Sequence, residues 1–132
     1  MTNPCILCVA ITGSVPTKAD NPAVPITVSE QIESSHEAFE IGASIAHCHV
    51  RDDDGNPTSD PVRFAALKAG IEAHCPGMII QFSTGGRSGS GRDRGACFRW
   101  NLIWPRFLSG PTISQSGYMK TAPTLLIGWQ AK

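Results

Sequence analysis

Three short apolar runs, separated by two stretches with helix signals, constrain the fold of this chain more than any other feature. Cys5-Ile-Leu-Cys-Val-Ala-Ile11 is continuous and apolar and stops at Thr12-Gly13. Such a run suits a strand buried on both faces, as in parallel sheets. After a proline-rich loop (Pro16, Pro22, Pro25), Ser29 offers a helix N-cap. Ile32, Phe39 and Ile41 then supply part of an apolar face among Glu30, Glu33, Glu37 and Glu40, and Gly42 is placed to end the helix. Residues 44–50 read as a second strand, followed by the acidic turn Asp52–Gly55. Asp60-Pro61 opens a second helix as N-cap and first-turn proline, with Phe64, Leu67, Ala69 and Ile71 on its apolar side and an end near His74-Cys75-Pro76. Met78–Phe82 is the third strand and leads into a glycine-rich basic loop through Arg94. Strand, helix, strand, helix, strand is the pattern of parallel βα units, so the expected class is α/β.

Composition narrows the function classes. With 41% hydrophobic and 17% charged residues over 132 positions, the chain is too apolar for a disordered tail. No apolar run reaches the ~20 residues of a membrane span, and no signal-peptide layout opens the sequence. A cytoplasmic protein with no membrane partner is the expectation. Eleven basic residues balance eleven acidic ones, so bulk charge suggests no nucleic-acid partner. The balance is uneven along the chain. Residues 1–95 carry 7 − 11 = −4, whereas residues 96–132 hold Arg99, Arg106, Lys120 and Lys132, no acid, and all three tryptophans. The five cysteines read as reduced thiols, and Cys5 and Cys8, despite CxxC spacing, as strand residues without a second pair.

His47-Cys48-His49 is the sharpest chemical feature. On a strand, residues two apart share a face, so both imidazoles converge while Cys48 points away. They stand at the C-terminal end of the strand, where parallel α/β folds place their sites. The pair can supply half of a zinc shell, or can hydrogen-bond nearby loops. Arg51 and Asp52 can orient a ligand histidine from outside the metal shell, or belong to the turn with Asp53 and Asp54. His36 and His74 are read as exposed. Ser83-Thr84-Gly85-Gly86 can form an anion-binding nest of backbone N–H groups, with Arg87, Arg92 and Arg94 beside it, or be a flexible loop.

These residues, taken together, resemble the β-keto acid cleavage enzymes, of which the 3-keto-5-aminohexanoate cleavage enzyme of lysine fermentation is the named representative. The likeness is carried by Ala10–Gly13, Pro25–Thr27, Ala46–Asp52, Gly55–Pro57 and Gln81–Gly86, in order from about residue 4 to residue 95. It implies an eightfold βα (TIM) barrel, of which residues 1–95 would form three βα units, an incomplete part. It implies a zinc or other divalent cation at the C-terminal mouth, and acyl transfer between a β-keto acid and acetyl-CoA to give acetoacetate and a new CoA thioester. It also implies an oligomer of identical subunits. Carried over by position, His47 and His49 match the metal histidines, and Ser83 and Gly86 match substrate contacts, with Thr84 and Gly85 between them in the same turn.

Two departures from the family follow. Where the aminohexanoate enzyme has a glutamate shortly after its Thr-Gly, this chain has Val15, which argues against an amino-bearing substrate and for a more apolar β-keto acid. The family's third metal ligand, a glutamate, and its acid/base residues lie on late strands and have no counterpart here. Residues 96–132 read as an out-of-frame tail. Translated one nucleotide earlier, codons permitted for Cys97–Trp104 give Met-Leu-Ser-Leu-Glu-Pro-Asp-Met, which resembles the family. On this reading the chain is a fragment inactive by itself. The rivals are a small metal-binding protein that recruits a carboxylate such as Asp52, and an anion- or nucleotide-binding module built on Ser83–Arg94.

Overall fold

The computed structural model describes residues 4–83, residue 85, and the two-residue strand at 125–126. Strands β1 (Leu7–Ala10), β2 (Ile45–Cys48) and β3 (Ile79–Phe82) alternate with helices α1 (Val28–Glu40) and α2 (Pro61–His74). All strand pairings are parallel, in the sheet order β3-β2-β1-β4, where β4 is Leu125–Leu126. The strand–helix alternation read from the sequence is therefore present, as a small α/β fold with a parallel sheet and two helices. Residue 84 and residues 86–124 lie outside the described residues, so of the third βα unit read from the sequence only the strand is described. β4 belongs to the tail, where the sequence offered no periodicity, and it pairs with β1 through Leu7 and Cys8.

The start of α1 differs from the expectation of a Ser29 cap. Thr27 is the N-cap: its hydroxyl accepts from the Glu30 N–H at 3.2 Å, and Glu30 Oε2 accepts from the Thr27 N–H at 2.9 Å. Only Thr27 has a glutamate three residues on, and that reciprocal pair satisfies two otherwise orphaned backbone donors. The same carboxylate also accepts from the Ile26 N–H (2.8 Å) and from Lys18 Nζ (2.6 Å). These bonds, Lys18 first and then the Thr27 and Ile26 amides, hold the Glu30 carboxyl down to about 2. α2 starts as the sequence indicates, with Asp60 Oδ1 accepting from the Val62 N–H at 2.8 Å and Pro61 in the first turn. Each helix returns to the sheet through a left-handed glycine, Gly42 (φ +100°) and Gly77 (φ +88°), a conformation glycine adopts without steric cost.

The core lies between one face of the sheet and the two helices. Ala46, Cys48, Val50, Phe64, Leu67 and Ile71 are all buried, and the Phe64 and Phe82 rings meet with centroids 4.7 Å apart. Two expected core positions are not in it: Ile41 is 75% exposed, past the end of α1, and Ala69 is exposed on α2. β1 is half-buried rather than buried on both faces, because among the described residues both helices pack on the same side of the sheet. Cys5, Cys8, Cys48 and Cys75 are free thiols. Among the described residues no helix is long and apolar enough to cross a membrane.

The opposite face of the sheet is where the chemistry collects. β2 alternates half-buried and buried along Ile45–Cys48, so Ala46 and Cys48 meet the helices while Ile45 and His47 face the other way. The register pairs Ala10 with His47 and His47 with Gln81, which puts these three in one row across the sheet.

Candidate functional site

Because β1, β2 and β3 run in the same direction, their C-terminal ends lie along one edge of the sheet. Three segments emerge there: Thr12–Pro16 after β1, His49–Arg51 after β2 and Ser83 after β3. His47 and His49 share a face, as strand alternation requires. Their ring centroids are 5.1 Å apart, with the planes inclined by 71°. Cys48 between them is fully buried among apolar side chains, and that burial, with the Cys8 thiol adding to it, pushes its thiol up to about 12. It is packing and not a nucleophile.

The two imidazoles differ in their surroundings. His47 Nδ1 lies 2.9 Å from Gln81 Oε1, the residue opposite it on β3. His49 has its Nδ1 buried with no hydrogen-bond partner among the described residues. Burial first, and the neighbouring His47 and Arg51 second, push the His49 pKa down to about 4. Its ring is therefore neutral at pH 7 with a lone pair available, which is the form that binds metal. A divalent cation fits this donor set: two imidazoles on one face, one of them with an orphaned buried nitrogen, would make half of a tetrahedral shell. Among the described residues no three His, Cys, Asp or Glu side chains converge to hold a metal.

Among the described residues, the hydrogen bonds of the Arg51 and Asp52 side chains go to neighbouring loops and not to the two rings. Arg51 is 3% exposed, and its guanidinium donates to the carbonyls of Gly13 (2.9 Å), Pro16 (3.0 Å) and Gly55 (2.8 Å). It ties the loop after β1 to the loop after β2, while its charge still disfavours a second proton on His49. The Asp52 carboxylate accepts from the N–H groups of Asp54 (3.0 Å) and Asn56 (2.8 Å), so it closes the turn around Gly55. Asp53 is exposed and paired with Arg63 at 2.7 Å.

Val15 sits 62% exposed on the loop that Arg51 holds, one residue before Pro16, whose carbonyl Arg51 grips. The other side of the loop is fixed by the buried Thr12 hydroxyl, which donates to the Pro25 carbonyl at 2.8 Å. Ser83 is half-buried, and its N–H donates to the Cys48 carbonyl at 2.9 Å, extending the β2–β3 ladder by one bond. Gly85 is exposed; Thr84, Gly86, Arg87, Arg92 and Arg94 lie outside the described residues. His36 and His74 are exposed as expected, with rings 6.2 Å apart across the helix pair. The residue that sequence reasoning passed over is Gln81. The signal was available: a polar side chain inside an apolar strand, two positions before Ser83 and hence on its face.

A family model described as beta-keto acid cleavage enzyme matches residues 4–112, continuing past residue 95. The chain is 65% identical over 95 residues to a 3-oxoadipate:acetyl-CoA acetyltransferase of Cupriavidus necator, covering 72% of this chain and 34% of that protein. It is 48% identical over 89 residues to a 3-keto-5-aminohexanoate cleavage enzyme of Fusobacterium nucleatum, covering 67% and 33%. Over 82 residues it is 38% identical to a 3,5-dioxohexanoate:acetyl-CoA acetone transferase of Paraburkholderia graminis, covering 61% and 26%. The chain thus spans about a third of the length, or less, of these curated relatives.

Proposed function

The chain belongs to the beta-keto acid cleavage enzyme family, and from that premise we propose that it carries the first part of the metal and substrate site of a zinc-dependent acyltransferase. The reaction is exchange between a β-keto acid and acetyl-CoA, giving acetoacetate and a new CoA thioester. The observation that carries this reading is the His47–His49 pair, 5.1 Å apart at the sheet edge, with a buried and unpartnered Nδ1 on His49.

His47 and His49 would hold the cation. When bound, a divalent metal supplies a Lewis acid for the β-keto oxygen. Burial keeps His49 deprotonated for that task without loss of a competing hydrogen bond. The turn from Ser83 through Thr84 and Gly85 to Gly86 would receive the substrate carboxylate, with Ser83 anchored to β2 by its backbone bond to Cys48. Val15 presents a methyl-bearing side chain where an ammonium group would need an anion. A β-keto acid without an amino group, of the kind named for the Cupriavidus relative, is therefore the proposed substrate class.

The third metal ligand and the acid/base groups belong, on this proposal, to a longer product of the same locus in which residues 96–132 are replaced by in-frame sequence. Sequencing the DNA around Ala96 and expressing both forms tests it. The restored form should consume a β-keto acid and acetyl-CoA and release acetoacetate in the presence of zinc, while the 132-residue form should not. A stop codon soon after the shift, or turnover by the short form alone, overturns the fragment reading.

A further inference from the structure

From the β2–β3 register we infer that Gln81 is a positioning residue that fixes the tautomer of His47. This deepens the metal reading above and rests on it. The register sets His47 opposite Gln81, so the two side chains leave the sheet on the same face from neighbouring strands. Gln81 turns its amide oxygen to His47 Nδ1 at 2.9 Å. With the amide oxygen accepting in this contact, Nδ1 carries the proton and Nε2 the lone pair, and this is the tautomer we assign to His47. A metal-ligating imidazole commonly donates its other ring N–H to such an outer partner, which orients the ring and fixes its tautomer.

The arrangement also separates the two histidines by role. His49 leaves its Nδ1 without a partner, whereas His47 has its own Nδ1 occupied. His47 therefore offers a single, predetermined nitrogen, and the residue that selects it lies 34 positions away on the next strand. Gln81 also precedes Ser83 by two residues on the same face.

The test uses the 132-residue chain with zinc as the probe, and reads tautomer and affinity separately. Long-range nitrogen-15 spectra of the imidazoles, without metal, should show His47 as the Nδ1–H tautomer in the parent. Gln81→Leu should convert His47 to a mixture dominated by the Nε2–H form, while Gln81→Glu, which keeps an acceptor oxygen, should preserve Nδ1–H. Zinc affinity should fall by about 10- to 100-fold in Gln81→Leu and be retained in Gln81→Glu. Far-ultraviolet dichroism of each variant separates this from loss of fold. A parent whose His47 carries its proton on Nε2, or a folded Gln81→Leu that binds zinc as tightly as the parent, overturns the role of Gln81 alone. A parent that binds no zinc while His47 is the Nδ1–H tautomer overturns the metal reading and with it the purpose assigned to Gln81.

Discussion

Gly70 of α2 lies so close to Ile32 of α1 that a β-carbon at position 70 would overlap Ile32 Cδ1 and stand 2.7 Å from its Cγ1. The two helices meet at this point, and the separation between them follows from it. In an exposed helix, replacing glycine with alanine gains about 1 kcal/mol from propensity. Here Gly70→Ala should instead destabilise the fold by about 1–3 kcal/mol, since the extra carbon forces Ile32 off its rotamer. Ile32→Val removes Cδ1 and should recover part of that loss in the double variant. Urea titration of the four-member cycle would read the coupling, and strictly additive losses would contradict the close approach.

The metal reading predicts that the 132-residue chain binds zinc weakly, because two of the usual ligands are not enough to close the shell. His47→Ala and His49→Ala should each abolish that binding. Competition with a coloured chelator measures it, and unchanged uptake in the double variant would remove both residues from the site.

Arg51 predicts a separate loss. Arg51→Met leaves the carbonyls of Gly13, Pro16 and Gly55 without their donor at a part-buried place, which should cost about 1–2 kcal/mol. Arg51→Lys should restore only part of it, because a compact ammonium cannot span three acceptors as the planar guanidinium does. Trypsin cleavage after Lys18 should quicken in both variants, more in Arg51→Met, as the loop loses its hold.

Glu30 should leave a mark on the acid side of the stability curve. Its folded pKa is about 2, against an ordinary value of 4.5, so the unfolded chain binds the proton more readily between those values. Stability from this group is therefore complete above about pH 4.5 and is lost as the pH falls toward 2. The carboxylate is partly exposed, so the amplitude is modest. Glu30→Gln should flatten that segment of the curve relative to the parent, and a parallel course in the two proteins would show that the capping box contributes nothing there.

Local pattern determined much of this protein. The continuous apolar run Cys5–Ile11 announced β1, short largely apolar runs announced β2 and β3, Asp60-Pro61 announced α2, and strand alternation put His47 and His49 on one face with Cys48 buried behind them. Each of these depends only on neighbours within a few residues, which is why a sequence displays them. What tertiary structure decided are relationships between elements. The sequence pointed to Ser29 as the cap of α1, whereas Thr27 holds it through Glu30, a carboxylate that Lys18, twelve residues upstream, also grips. The Arg51 clamp on Gly13 and Pro16 reaches over 38 and 35 residues, and the contact of His47 with Gln81 over 34. The pairing of β1 with Leu125–Leu126 joins segments with no shared periodicity. Strand register is set by packing and by backbone hydrogen bonds between distant segments, so it fixes which side chains meet without leaving a local trace.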